Sequence, residues 1–133
     1  MSILVDTSVW SLALRRDEQP NSPELKILTK ALDSGEEIYS TGIILQELLQ
    51  GFSGAKASEA IVDRFAAIPM LVPETLDHIE AAQLRNRSRQ KGVQVGTIDA
   101  LIAQLSLRYK LALLTADKDF NHMSKVVKLT FAK

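Results

Sequence analysis

Four acidic residues stand at places where apolar segments begin, end or are interrupted. Asp6 ends the apolar run ILV, and Asp117 follows the apolar segment LALLT. Glu47 interrupts the sequence IILQELL, and Asp99 interrupts TIDALIAQL. Burying a lone carboxylate costs several kcal/mol unless the group is paired or bound to a metal. The positions of these four acids therefore predict a common site at which their charges are neutralised.

The residue types favour one kind of chemistry. Clustered carboxylates without histidine or cysteine partners bind hard cations such as Mg²⁺ or Mn²⁺. Phosphodiester hydrolysis is the reaction that most often uses such a cation without a protein nucleophile. Thr7, Ser8 and Thr115 adjoin the acids in the sequence, and we expect them to orient ligands or water. The predicted catalytic and metal-binding residues are Asp6, Glu47, Asp99 and Asp117.

Each acid also has a structural explanation when it is taken alone. Asp99 lies two residues after Thr97, an expected helix N-cap, and an acid there gains about 0.3–1 kcal/mol from the helix dipole. Asp6 and Asp117 are placed to cap the elements that follow them, and Glu47 is placed to lie on an exposed helix face. The occurrence of all four at the edges of apolar segments favours the functional interpretation.

The elements that must position these acids alternate between strand and helix patterns. The predicted strands are residues 3–7, 37–41, 70–73, 111–115 and 126–130. The first predicted helices cover residues 8–16, the segment from N-cap Ser22 to 34–35, a segment that starts near Thr41, and residues 55–68. A further helix is capped by Thr75 and stopped by Gly92, and the next is capped by Thr97. Residues 116–123 are predicted to form a turn or a short helix. This alternation predicts an α/β fold whose mainly parallel sheet is covered on both faces, with ligands at the carboxyl ends of the strands.

Composition limits the other possibilities. The chain has 133 residues, is 46% hydrophobic, and carries 16 basic and 16 acidic residues, which is consistent with one domain and no net charge. The absence of cysteine excludes disulfides and thiol chemistry. No signal-peptide pattern and no apolar run of about 18 residues is visible, so we expect a cytoplasmic protein without a membrane partner.

A basic run lies between the second and third of these acids along the chain, Glu47 and Asp99. The sequence RNRSRQK contributes Arg85, Arg87, Arg89 and Lys91, which span two helical turns. With four of the 16 acids assigned to the site, the rest of the chain carries a formal charge of about +4, which suits a nucleic-acid backbone. The alternative is a solvated helix face, which such runs usually form.

Four segments together resemble the PIN-domain family over essentially the whole chain. They are LVDTSVW, STGIILQELLQGF, VGTIDALIAQLSL and LLTADKDF, and their order is most similar to VapC-type toxin ribonucleases of bacterial type II toxin–antitoxin pairs. The resemblance implies a three-layer αβα sandwich, a single PIN-like domain over residues 1–133, and a Mg²⁺- or Mn²⁺-dependent endoribonuclease whose acidic site is the one identified above. It also places Asp119 near the metal in a supporting position.

The same resemblance implies partners that the residues alone do not show. It implies an RNA substrate, a homodimer, and a cognate antitoxin whose C-terminal segment lies across an apolar groove; Trp10, Leu14 and Phe52 are candidates for that groove or for the core. One alternative is a PIN-like module that binds RNA or antitoxin without turnover, and the presence of all four acids argues against it. Another is a structure-specific DNA nuclease.

Overall fold

The central element is a parallel β-sheet whose strands fall in four of the five predicted places. The computed structural model describes residues 1–15 and 21–133. Within them, the strands are β1 Ser2–Val5, β2 Glu37–Thr41, β3 Met70–Leu71 and β4 Ala112–Leu114. Their order is β3-β2-β1-β4, and every pairing is parallel. The predicted α/β fold with a mainly parallel sheet is confirmed.

Helices connect the strands and cover the sheet. In the described ranges they are α1 Thr7–Leu14, α2 Pro23–Asp33, α3 Gly42–Gly51, α4 Ala55–Phe65, α5 Thr75–Gln90, α6 Thr97–Arg108 and α7 Asp119–Met123. Ser22 caps α2 as predicted, because its hydroxyl accepts the N–H of Leu25 at 3.2 Å. The predicted end of the first helix at Arg16 and the predicted loop over 17–20 lie outside the described residues.

Two predicted helix caps are wrong by one residue. The N-cap of α5 is Glu74, and Thr75 is already helical. The Glu74 N–H is satisfied by a carboxylate oxygen of Asp77, at 2.8 Å, one turn into the helix. The N-cap of α6 is Gly96, and Thr97 is its first helical residue. In both cases the first helical residue is a threonine, and its hydroxyl led the sequence pattern to predict the N-cap one residue too late in the chain.

The predicted fifth strand over 126–130 is wrong. After α7 the chain turns tightly, because the N–H groups of Val126 and Val127 both donate to the carbonyl of Met123. The chain meets the sheet only beyond this turn, where Leu113 forms an isolated parallel bridge with Phe131. The β-branched composition therefore predicted a strand, although the first two residues of the segment lie in a turn.

One continuous cluster of buried apolar side chains runs from Ile3 to Ala132. Trp10 is buried in it and packs against Phe65 with ring centroids 5.1 Å apart, so the suggestion that Trp10 lines a partner groove is wrong. Leu14 and Phe52 are partly buried against the same core. Leu32 of α2 lies outside this cluster and is 47% exposed. No helix within the described ranges combines the length and hydropathy that a membrane span requires.

Candidate active site

Asp6 and Asp117 lie at one edge of the sheet, as the sequence predicts. β1 and β4 are hydrogen-bonded neighbours in which Val5 pairs with Leu114. Asp6 continues this pairing by one residue, because its N–H donates to the carbonyl of Leu114 at 2.9 Å. Asp117 follows three residues after the end of β4. The carboxyl ends of the two strands thus bring together residues that are far apart in the sequence.

The side chain of Asp6 does not cap the helix that follows it. Its backbone occupies the N-cap position of α1, but its carboxylate accepts no hydrogen bond from the α1 backbone. One oxygen, Oδ2, accepts the hydroxyl of Ser8 at 2.8 Å and that of Thr115 at 2.9 Å. The other, Oδ1, accepts none from the described part of the chain. Asp6 is only 5% exposed, so a buried carboxylate is held with one oxygen available for a ligand.

The two hydroxyl groups also fix the loop after β4. The oxygen of Ser8 accepts the N–H of Ala116 at 3.0 Å, and the oxygen of Thr115 accepts the N–H of Asp117 at 3.0 Å. Each hydroxyl therefore donates its proton to Asp6 and accepts a backbone proton from the loop. The predicted supporting residues Ser8 and Thr115 are placed to set the position of Asp117 relative to Asp6.

Glu47 approaches the same region from α3. It is half-buried, and its Oε1 accepts the hydroxyl of Thr7 at 2.8 Å. This contact joins the first turn of α1 to the middle of α3, across 40 residues of sequence. Thr7 thus holds Glu47 in the way that Ser8 and Thr115 hold Asp6. An exposed helix face, the alternative for Glu47, does not describe this position.

The closest grouping of acids in the described residues consists of Asp99, Asp117 and Asp119. One carboxylate oxygen of each lies within 4.8 Å of the others. Asp99 comes from the first turn of α6, Asp117 lies between β4 and α7, and Asp119 is the first residue of α7. Asp117 also has the structural role considered above, because its Oδ1 accepts the N–H of Asp119 at 2.9 Å. That hydrogen bond is the reason why the two aspartates stay close together.

The other four acids act electrostatically on Asp99. The pKa of Asp99 is raised from an ordinary value of 3.8 to about 7. Burial is the largest cause, because it disfavours the charged form. The like charges of four neighbours add to it: Asp6, Asp117, Asp119 and Glu47. A carboxyl group with this pKa is one that a bound cation would convert to its charged form.

The residues fit a hard divalent cation. The three closest side chains offer only carboxylate oxygens, which are the ligands that Mg²⁺ and Mn²⁺ prefer. Within residues 1–15 and 21–133, no lysine or arginine forms an ion pair with any of the five acids. Their mutual repulsion is therefore not relieved by the described protein side chains, and a cation is the natural means of relieving it.

The predicted RNA-binding residues do not share one face. Arg85 is half-buried, and its Nε donates to the carbonyl of Val95 at 2.9 Å. Arg87 and Arg89 are exposed on α5, and Lys91 is the exposed C-cap of the same helix. The basic side chains of this run therefore point in different directions around α5.

Asp119 is the residue whose importance sequence reasoning underestimated. Its distance of two residues from Asp117 in the sequence DKDF was visible, but that spacing does not show whether the side chain points toward the site. The turn closed by the Asp117 side chain decides the matter, because it brings Asp119 into the closest group of acids.

Comparison with known proteins identifies relatives of this chain. The family model described as "PIN domain" matches residues 3–126. A protein named Ribonuclease VapC from Rickettsia bellii is 28% identical over 141 residues, covering 98% of this chain and 96% of that protein. The predicted resemblance to this family is confirmed.

Solved structures show the same fold. The structure of VapBC-1 from nontypeable Haemophilus influenzae superposes with a TM-score of 0.76 at 19% identity, covering 98% of this chain and 96% of the other. Mycobacterium tuberculosis VapC20, described as a sarcin–ricin loop cleaving toxin, superposes with a TM-score of 0.70 at 16% identity, covering 90% and 93%. At these identities the likeness is one of fold, and it confirms the predicted PIN-like αβα arrangement.

Proposed function

This chain belongs to the PIN-domain family, and from that premise we propose that it is a Mg²⁺- or Mn²⁺-dependent endoribonuclease, the toxin of a toxin–antitoxin pair. The observation that carries the proposal is the group formed by Asp99, Asp117 and Asp119, with carboxylate oxygens within 4.8 Å of one another. A structural role does not require three acids in this arrangement. The named ribonuclease relative, which is similar over nearly its whole length, supports the choice of RNA as the substrate.

Each site residue has a distinct proposed role. Asp99, Asp117 and Asp119 would hold the cation, and Asp6 would complete the site through its unpaired Oδ1. Glu47, held by Thr7, would contribute negative charge and accept a proton from water at the edge of the site. When bound, the cation supplies Lewis-acid activation of a water molecule and of the phosphate to be attacked.

The hydroxyl residues have a supporting role in this proposal. Ser8 and Thr115 occupy one oxygen of Asp6, which leaves the other without a hydrogen bond from the described residues. Because the same hydroxyls hold the backbone of Ala116 and Asp117, the spacing between Asp6 and the loop acids is fixed before any ligand binds. Preorganised ligands of this kind lower the cost of assembling a metal site.

The proposed partners are an antitoxin, RNA and a second copy of the chain. Support for the antitoxin comes from the fold shared with VapBC-1. The homodimer follows from the family resemblance, and light scattering of the purified chain tests it. We also propose that residues 1–133 form one PIN domain, which the continuous buried core from Ile3 to Ala132 supports. We further propose that the protein acts in the cytoplasm.

Cleavage of RNA by the purified protein tests the function. We expect hydrolysis of single-stranded RNA in Mg²⁺ or Mn²⁺, no hydrolysis with excess chelator, and recovery when the metal is restored. Asp99→Asn should lower the rate by at least about 100-fold, since outer-shell changes already cost 10–100-fold. The matched control is Asp63→Asn, an exposed acid on α4.

Three results would contradict the proposal. Cleavage that continues at full rate in chelator would exclude the metal-dependent mechanism. Binding of RNA or antitoxin without any cleavage in either metal would instead establish a module that has lost turnover, and cleavage of structured DNA but not RNA would establish a DNA nuclease.

A further inference from the structure

A cavity beside the acidic site is lined by two of the four basic residues. Its volume is about 440 Å³, which is within the range of ligand-binding pockets. It is lined by Arg85 and Arg89 from α5, by the loop residues 93–96, and by Asp119. Asp119 is also a member of the closest acidic group. A strand of nucleic acid that reaches the acids therefore passes directly next to two arginines.

Arg85 is prepared for binding an anion. Its Nε donates to the carbonyl of Val95 at 2.9 Å, and this is the guanidinium's one hydrogen bond to the described residues. The contact fixes the plane of the guanidinium but leaves its two terminal amino groups available. A guanidinium held in this way presents paired N–H donors, which is the geometry that binds phosphate oxygens. Val95 itself is buried, so the anchoring carbonyl lies in a firmly packed part of the loop.

Helix geometry explains why only part of the basic run reaches this cavity. Arg85 and Arg89 are four residues apart on α5 and so lie on the same side. Arg87 is two residues from each and points elsewhere, into a polar cavity lined also by Glu80 and Gln104. The same helix thus carries arginines of identical charge inside and outside the cavity next to the site.

The acidic site needs basic groups nearby if RNA is to approach it. The carboxylates of four neighbouring acids lie close enough to Asp99 to raise its pKa. If all five acids are ionised, two divalent cations would leave one negative charge uncompensated, and one cation would leave three. Each RNA phosphate adds another negative charge, so the approach is unfavourable without a fixed positive charge beside the cations. Arg85 and Arg89 provide that charge from the wall that Asp119 shares.

We propose that Arg85 and Arg89 form a phosphate-binding subsite that holds the RNA backbone next to the bond being cleaved. This inference rests on the proposed ribonuclease function and narrows the predicted RNA-binding set, since Arg87 and Lys91 lie outside the subsite. The ligand is a backbone phosphate and not a base, because the cavity wall offers guanidinium groups and no aromatic ring. Arg85 and Arg89 are positioning residues for the substrate.

Binding of a labelled 20-nucleotide single-stranded RNA tests the proposal. Anisotropy is measured with chelator present, so that no hydrolysis occurs, at several salt concentrations. We expect Arg89→Ala to weaken affinity about tenfold and to reduce the slope of log K against log salt by about 0.7, the value for one single-strand phosphate contact. Arg85→Ala should do the same, and the double variant should lower the slope by about 1.4. Arg87→Ala, on the same helix, should leave both quantities unchanged.

Further measurements separate binding from structure. Among the described residues Arg89 makes only a local hydrogen bond to Asn86, so its removal should not change thermal stability, whereas Arg85→Ala also loses the contact to Val95. Arg85→Lys keeps the charge without the paired donors and should recover only part of the affinity. In Mg²⁺ the Arg89→Ala variant should show a raised KM with kcat little changed.

The possible outcomes distinguish this proposal from the one on which it rests. Equal losses for Arg85, Arg87 and Arg89, or no loss for any, would overturn the subsite while cleavage by the wild type leaves the ribonuclease proposal intact. Binding that depends on Arg85 and Arg89 without cleavage in Mg²⁺ or Mn²⁺ would overturn the ribonuclease proposal and support the subsite.

Discussion

The carboxyl group of Asp99 lies in the first turn of α6 and is surrounded by four other acids. Its pKa of about 7 means that, without metal, it holds a proton near neutral pH that a free aspartate would have lost. A proton and a divalent cation are therefore alternatives at this position. Metal binding should release about one proton at pH 6 and much less at pH 8, because a ligand must be ionised to bind.

The same shift makes Asp99 a source of instability in the metal-free protein. The pKa is higher in the folded state than in the unfolded chain, so the folded state binds more protons between about pH 4 and 7. Stability consequently falls as pH rises through this window and stays low above it. Asp99→Asn removes the charge, and we expect it to stabilise the metal-free protein at pH 8 by on the order of 1–2 kcal/mol, allowing for partial solvent screening.

Urea unfolding in chelator at pH 4 and pH 8 checks this expectation. The gain from Asp99→Asn should be present at pH 8 and nearly absent at pH 4. Saturating Mg²⁺ should remove or reverse it, because only the wild type gains from binding the cation. A variant that is less stable than the wild type at pH 8 in chelator would show that Asp99 makes a favourable structural contact.

At the scale of elements, α5 and α6 are joined by a polar network as well as by packing. Asp77 in α5 is buried, accepts the N–H of Glu74, and forms an ion pair with Arg108 at the end of α6. Burial alone would raise the pKa of Asp77, but these partners together lower it. Arg108 also pairs with Glu74 at 3.1 Å, and Gln104 bonds to Glu80 between the same two helices. The network fixes α6, and with it Asp99.

Removing Asp77 should therefore affect both stability and the site. We expect Asp77→Ala to lower the free energy of unfolding by about 2–3 kcal/mol, since it removes a helix-capping contact and a buried ion-pair partner. Denaturant unfolding of the two proteins provides the measurement. Asp63→Ala, an exposed acid on α4, is the control and should change stability by less than about 0.5 kcal/mol. Equal effects of the two substitutions would mean that the network contributes nothing.

Much of this element structure follows from sequence patterns, and the exceptions have physical causes. β2 has the predicted limits Glu37–Thr41, because a short β-branched segment lies between clear helix signals. The segment 126–130 has a similar composition, but its first two residues are held in a turn by hydrogen bonds to Met123, which composition does not show. Asp6 and Asp117 lie near neighbouring strand ends, as the sheet order requires, whereas the position of Asp119 depends on a side-chain-closed turn.

For the whole molecule, the parallel sheet places Asp6 and Asp117 near the carboxyl ends of β1 and β4, and this is the edge that the proposed RNA substrate would have to reach. A ribonuclease with such a site would damage the cell that makes it unless a partner covers the acids. A partner carrying a basic residue could do so, because it would pair with carboxylates that otherwise repel one another. This is the role of the antitoxin proposed above.

Expression in a bacterial host tests this regulation. The wild type should arrest growth, while Asp6→Asn and Asp99→Asn, expressed to the same level, should not. Co-expression of the small protein encoded beside the gene should restore growth and yield a stable complex with the wild type. Normal growth at high wild-type expression would be inconsistent with a toxin, whatever the purified protein binds.

The hydrogen bond from Thr115 to Asp6 joins residues that are 109 positions apart in the chain. Closing so long a loop costs conformational entropy that only extensive packing of the rest of the molecule can offset. The pocket of acids therefore exists only after nearly the whole chain has folded, since no isolated hairpin or helical pair contains it. A partly folded intermediate would carry the same aspartates without the assembled site, so the proposed ribonuclease activity should be gained in the last cooperative step of folding.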